Sequence, residues 1–218
     1  MGNRQLDNAH PDIPHSIRIP KECTIVKDNI TDNVFQNLQD PRILTNTVIL
    51  TPTNDHALRM NDTITRKLPG TPKTYASADR VICKDEEEAQ QYPLEFLNSL
   101  TPTGMPPHRL ILKPGVIVML LRNLDIRRGL CNGTRLIVRQ LHTHVIDAEI
   151  LTGANKGDYV LIPRIKLAPS DVNLPFILER TQFPLKVSYC MTINKAQGQT
   201  FDKLGIFLPQ SVFIHEQL

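Results

Sequence analysis

Thr47-Val48-Ile49-Leu50-Thr51-Pro52-Thr53-Asn54 is the stretch on which the fold turns. Five consecutive β-prone residues with three apolar ones at the centre fit a strand covered on both faces, as in a parallel sheet, better than a half-solvated one. Pro52 then withdraws a backbone donor and stops the strand. Thr53 or Asn54 offers a side-chain oxygen to cap a helix, and Ala57, Met60 and Ile64 at i, i+3 and i+7 give that helix an apolar stripe ending before Pro69-Gly70. Strand, turn and helix in this order make an α/β unit.

Farther along the chain, Leu185, Val187, Tyr189 and Met191 alternate as in one strand, which leads into Thr192-Ile-Asn-Lys-Ala-Gln-Gly-Gln-Thr200, and a final apolar strand is expected over residues 204–208. Between the two α/β stretches the pattern changes. Short β runs at residues 110–112, 116–121, 134–140, 145–151 and 159–162 are separated by the turn signals Pro114-Gly115, Asn132-Gly133 and Gly153-Ala-Asn-Lys-Gly157. Five such strands read as a small antiparallel barrel. The expected architecture is therefore α/β, an incomplete parallel-sheet domain interrupted by a small antiparallel β-barrel. Its parts are an extended arm over 1–42, a first α/β part over 43–110, the insertion over 111–178 and a second α/β part over 179–218. In the arm only Ile30, Val34, Phe35 and Leu38 repeat at helical spacing, and Lys84-Asp-Glu-Glu-Glu88 reads as a solvated linker or surface helix.

At 218 residues the chain has room for one large domain or one and a half. A chain of this size buries about 70% of its unfolded surface, so it needs no disulfide or structural metal. Cys23, Cys83, Cys131 and Cys190 include no C-x-x-C pair, which predicts reduced thiols and no metal framework. No apolar run reaches the length of a membrane span or signal segment, so an intracellular protein without membrane contact is expected. With 25 Lys+Arg against 22 Asp+Glu the net charge is only +3, and any nucleic-acid surface must show as a local cluster.

Two segments carry such chemistry. At the strand-to-helix turn, Lys195 and nearby backbone N–H groups are able to hold phosphate, and Gly198 permits close backbone approach. The alternative is that Asn194 caps a helix and Gly198 closes it. In the insertion, Arg122-Asn123 and Arg127-Arg128 bracket Asn132-Gly-Thr-Arg135, with Lys113 close by. Such a cluster tracks phosphates through counterion release, unless the hairpin is a plain turn with solvated arginines. His108, His142, His144 and His215 show no metal spacing.

Met191-Thr-Ile-Asn-Lys-Ala-Gln-Gly-Gln-Thr200 resembles motif V of the superfamily 1B DNA helicases of the Pif type, most closely their Helitron-transposon branch. Further segments resemble the family's carboxy-terminal half in order and spacing. They include Tyr92-Pro-Leu-Glu-Phe-Leu-Asn-Ser-Leu-Thr-Pro-Thr-Gly-Met-Pro-Pro-His108, Leu112-Lys-Pro-Gly115, Met119-Leu-Leu-Arg-Asn-Leu-Asp125, Gly129-Leu-Cys-Asn-Gly-Thr-Arg135, Ile162-Pro-Arg164, Leu174-Pro-Phe176, Arg180, Gln182-Phe-Pro184 and Val212-Phe-Ile-His-Glu-Gln-Leu218. The resemblance covers about residues 43–218. It implies a second RecA-like domain interrupted by an SH3-like barrel, the 2B domain, with motif V in the RecA-like part. It also implies that Thr192, Asn194 and Lys195 face DNA phosphates and that Gly198 and Gln199 approach the nucleotide, while Arg122, Arg127, Arg128 and Arg135 are expected to contact DNA on their local charge density. Asn54, in a region similar to motif IV, is a DNA or interdomain contact or else a helix cap. The implied partners are single-stranded DNA and an N-terminal RecA-like domain, and the implied location is nuclear.

The sequence departs from the family at Pro114, Tyr189-Cys190 and Glu216, and it carries no G-x-x-x-x-G-K-[ST] loop and no Y-V-A-L-S-R stretch. Bound ATP and Mg²⁺ are accordingly expected only in a complete helicase, with no cofactor and no ATP hydrolysis for this chain alone. Three functions fit these residues: the carboxy-terminal part of a 5′-to-3′ ATP-driven DNA helicase, a non-catalytic single-strand-binding module, or a transposon-derived remnant. An unpaired sheet edge near the last strand, with marginal solubility, is a further expectation.

Overall fold

The computed structural model describes residues 30–36, 44–82, 91–169 and 174–209. In chain order the elements are α1 (Ile30–Val34), β1 (Thr47–Thr51), α2 (Asn54–Lys67), β2 (Lys73–Ala76), β3 (Ala78–Ile82), α3 (Leu94–Ser99), β4 (Arg109–Leu112), β5 (Ile117–Leu120), β6 (Arg135–Leu141), β7 (Val145–Ile150), β8 (Tyr159–Pro163), β9 (Ile165–Leu167), β10 (Ile177–Gln182), β11 (Leu185–Val187), β12 (Cys190–Thr192), α4 (Ile193–Ala196) and β13 (Lys203–Ile206). Most of the arm, the acidic run at Lys84–Glu88 and the final Val212–Leu218 stretch lie outside the described residues. Among the described residues no helix is long and apolar enough to cross a membrane.

β1 is the central strand of a parallel sheet of order β12-β1-β13. Val48 and Ile49 are fully buried, as the continuous apolar run requires. Thr53 caps α2, its hydroxyl accepting the His56 N–H at 3.4 Å, and the helix buries Ala57, Asn61, Ile64 and Thr65. α1 lies against β1 and β13, where its Val34 joins the main core and Asp32 pairs with Lys67 of α2.

The second sheet is antiparallel, of order β11-β5-β6-β7-β8, with β11 and β8 at its ends. It differs from the five expected strands in one member. β4 pairs with β2 instead, and β11 takes the fifth place beside β5. A third sheet, β3-β10-β9, is joined to its surroundings by Arg180. The fully buried Arg180 guanidinium donates to both Asp79 carboxylate oxygens, to Pro106 O at 2.9 Å and to Leu97 O at 3.1 Å, so each of its three nitrogens has an acceptor in the low-dielectric interior.

The single alternating strand expected over residues 185–191 is in fact two. β11 belongs to the antiparallel sheet and β12 to the parallel one, with Ser188 and Tyr189 as the crossing point. Ser188 N–H still donates to Ile117 O at 3.0 Å, while Tyr189 O accepts the Ile49 N–H at 2.9 Å, so adjacent residues serve different sheets.

Candidate nucleic-acid interface

The carboxyl edge of the parallel sheet is built by register. Thr51 at the end of β1 stands opposite Thr192 at the end of β12, and α2 and α4 begin immediately beyond them. Carboxyl ends of parallel strands present helix starts and loops outward, the usual place for ligands in open α/β sheets. Thr51 is fully buried, and its hydroxyl makes no hydrogen bond within the protein. Thr53 is exposed, its hydroxyl 2.7 Å from His56 Nδ1, and the His56 ring stands edge-on to Phe207 at 5.6 Å. Asn54 is exposed as the first residue of α2; the capping group is Thr53, which leaves the Asn54 side chain clear of that duty.

Thr192 is the N-cap of α4 but makes no side-chain cap hydrogen bond, Asn194 is exposed and Lys195 is half-buried. Gly198, at φ +75°, turns the chain out of this short helix. The Gln199 N–H donates to Ala196 O at 3.0 Å and its Nε2 to Lys195 O at 3.1 Å, while its Oε1 is buried without a partner. Residues 197–201 form one wall of a groove of about 620 Å³ whose other wall comes from residues 131–134 and 152–154. The structure thus brings the motif V segment against the loops of the antiparallel sheet.

The arginine cluster divides. Arg135 is 1% exposed: Nη1 donates to Thr45 O at 2.5 Å, Nη2 to Ser188 O at 3.2 Å and Nε to Ser188 Oγ at 3.3 Å, with the guanidinium 5.4 Å from the Phe201 ring centroid. The expectation of a DNA contact there is corrected, because the guanidinium is buried and each of its nitrogens donates within the protein. Burial also pushes its pKa down to about 10. Arg122 is likewise engaged, donating to Gly104 O, Leu121 O and Ala168 O, each at 2.9 Å. Lys113, expected beside the cluster, is buried and donates to Arg66 O and Leu68 O, closing the carboxyl end of α2. Arg127 and Arg128 remain exposed on a loop whose backbone N–H groups are held by Asp125 Oδ1 at 3.0 and 3.3 Å.

Two residues escaped the sequence reading. Asn61, on the inner face of α2, hydrogen-bonds the backbone of Tyr189 and Cys190, and an amide four residues after Ala57 in the apolar stripe was the available signal. Lys186, in β11, is held below the ordinary lysine value first by burial and then by the Lys195 charge. An alternating strand gives no hint of that.

The model of the 2B domain of the DNA helicase Pif1 matches residues 95–141. Over 207 residues the chain is 28% identical to the ATP-dependent DNA helicase Pif1 of Bdellovibrio bacteriovorus, covering 95% of this chain and 43% of that protein. The chain is similar to Pif1 helicases over most of its length. Its similarity to the ATP-dependent DNA helicase PIF1 of Danio rerio is 26% over 217 residues, 94% of this chain and 30% of the relative. The chain therefore spans less than half the length of these Pif1 relatives. Among solved structures, Pif1 from Candida albicans superposes with a TM-score of 0.53 at 19% identity, over 80% of this chain and 46% of that one. Bacteroides Pif1 bound to ssDNA gives 0.51 at 22% identity, over 80% and 41%. These likenesses show the mixed α/β fold and its sheets.

Proposed function

We propose that this chain supplies the single-strand-binding face of a Pif1-type DNA helicase, built as a RecA-like domain interrupted by an SH3-like 2B barrel. The observation that carries the reading is the Thr51–Thr192 register, which sets the starts of α2 and α4 side by side at one sheet edge. Thr192, Asn194 and Lys195 there contact strand phosphates, Asn54 adds a polar contact from α2, and Arg127 and Arg128 extend the track from the antiparallel sheet. The similarity of motif V and of the 2B segment to helicases, one of them solved with ssDNA, supports this assignment.

ATP and Mg²⁺ belong in this reading to the complete motor, where the nucleotide lies between this domain and an N-terminal RecA-like domain. Gly198 and Gln199 do not make a phosphate cradle by themselves, since the Gln199 N–H and Nε2 are both engaged by α4 carbonyls. The 218 residues carry no phosphate-loop motif, and the chain alone is proposed not to turn over ATP. The test is a titration of the purified chain with fluorescein-labelled oligo(dT) at several salt concentrations. Binding should weaken linearly in log salt, and Lys195→Ala should lower the slope by about 0.7, the value for one phosphate on a single strand. Binding that ignores salt, or DNA-stimulated ATP turnover lost on Lys195→Ala, would overturn the respective part of the reading.

A further inference from the structure

A second cleft, of about 330 Å³, opens along α2. Leu58, Leu110 and Ile111 give it apolar walls, and Arg59, Arg109 and Lys186 give it three cations. The acid among its lining residues, Asp62, is paired with Arg66 one turn further along α2. No hydrogen bond or ion pair engages the side chains of Arg59, Arg109 or Lys186 among the described residues. Lys186 also feels the Lys195 ammonium, which links the cleft to the motif V helix. Lys186 is half-buried without a protein partner, and Arg59 and Arg109 stand exposed at the rim; a half-buried unpaired cation marks a place where a ligand supplies the counter-charge.

We infer that this cleft is a nucleotide subsite for the same strand, in which Lys186, Arg59 and Arg109 hold a phosphate and the apolar walls receive the sugar and base. The inference rests on the single-strand reading above and deepens it. α2 begins at the carboxyl edge with Asn54, and its next turn delivers Leu58 and Arg59 to the cleft, so the helix leads from one site to the other. An apolar wall beside cations suits a nucleotide better than a bare inorganic anion, because burying sugar and base adds area-dependent affinity.

The experiment compares wild type, Lys186→Met, Lys186→Arg, Arg109→Gln and Lys195→Ala by anisotropy with labelled oligo(dT) across a salt series, with thermal unfolding of each. Lys186→Met and Arg109→Gln should each weaken binding about 3- to 10-fold and lower the salt slope by about 0.7, and Lys186→Arg should restore both. Removing an unpaired, partly buried cation should leave the unfolding temperature of Lys186→Met unchanged or higher. Wild-type affinity in Lys186→Met alongside weakened Lys195→Ala would overturn the subsite and leave the edge reading standing. No salt-dependent binding by wild type would overturn both. Displacement of the oligonucleotide by thymidine monophosphate at equal nucleotide concentration would show a free-nucleotide pocket and overturn the strand assignment.

Discussion

Asn61 brackets Cys190: its Nδ2 donates to the Cys190 carbonyl at 2.7 Å while its Oδ1 accepts the Cys190 N–H at 2.8 Å and the Tyr189 N–H at 2.9 Å. One side chain of α2 thus completes the backbone pairing at the point where the chain passes from the antiparallel to the parallel sheet. Asn61→Ala leaves three buried backbone groups unmatched and should lower stability by about 2–4 kcal/mol in urea unfolding. Asn61→Asp keeps the acceptor but loses the donor and adds charge, so it should not rescue. An alanine variant within about 0.5 kcal/mol of wild type would show that the bracket carries no weight.

Alkaline pH should loosen the same crossing. Burial pushes both the Tyr189 hydroxyl and the Cys190 thiol up to about 12, from 10.0 and 9.0. Folded-state values above the unfolded ones mean that the unfolded chain sheds these protons first. The stabilising contribution is complete below about pH 9 and is lost as pH rises toward 12, at up to about 1.4 kcal/mol per pH unit for each group. Urea midpoints measured from pH 8 to 11 should fall, and Cys190→Ala should flatten the early part of the decline. A level profile in wild type would contradict the burial of both groups.

The Arg180–Asp79 pair should respond asymmetrically to substitution. Both side chains are fully buried, and Arg180→Met strands a carboxylate in the interior, at about 3–5 kcal/mol. Arg180→Met with Asp79→Leu should recover much of that loss, although the Pro106 and Leu97 carbonyls remain unmatched. A double variant as unstable as the single would place the loss in those carbonyls instead.

The four arginines of the cluster should separate into two kinds. Arg127→Gln with Arg128→Gln should weaken oligonucleotide binding and lower its salt slope by about 1.4, two contacts' worth, with no change in unfolding. Arg122→Gln and Arg135→Gln should instead lower stability, by about 2–4 kcal/mol for the buried Arg135. Circular dichroism melts beside anisotropy titrations distinguish the two outcomes for each variant.

The elements that residue pattern reveals are those whose partners do not matter to their identity. Thr47–Thr51 is apolar throughout and stopped by proline, and α2 follows from a cap and a stripe, so both were legible. Residues 185–191 were not, because Leu185, Val187, Tyr189 and Met191 alternate equally well in one strand or two. The division is made by Ile117, Ile49 and Asn61, far away in sequence. Arg135 next to Asn132-Gly133 reads as a surface cation until Thr45 and Ser188 supply its acceptors. The strands β2 and β3 are short, β2 being polar as Lys73-Thr-Tyr-Ala76, and owe their form to β4 and β10 rather than to their own pattern. Of the candidate site, the motif V segment was visible because its chemistry is local, whereas Lys186 gains its character from burial first and then from the position of Lys195.

The placement of β1 between β12 and β13 has a consequence for synthesis. The strand leaves the ribosome with two open hydrogen-bonding edges and an apolar surface, and both of its neighbours are translated only after the whole antiparallel sheet. The antiparallel hairpins have local partners and can close as they emerge, but β1 must wait until Cys190–Thr192 and Lys203–Ile206 have been made. During that interval the nascent chain displays a sticky ribbon that a holdase is suited to shield. The interval between β1 and β12 is the window in which this open edge is able to pair wrongly.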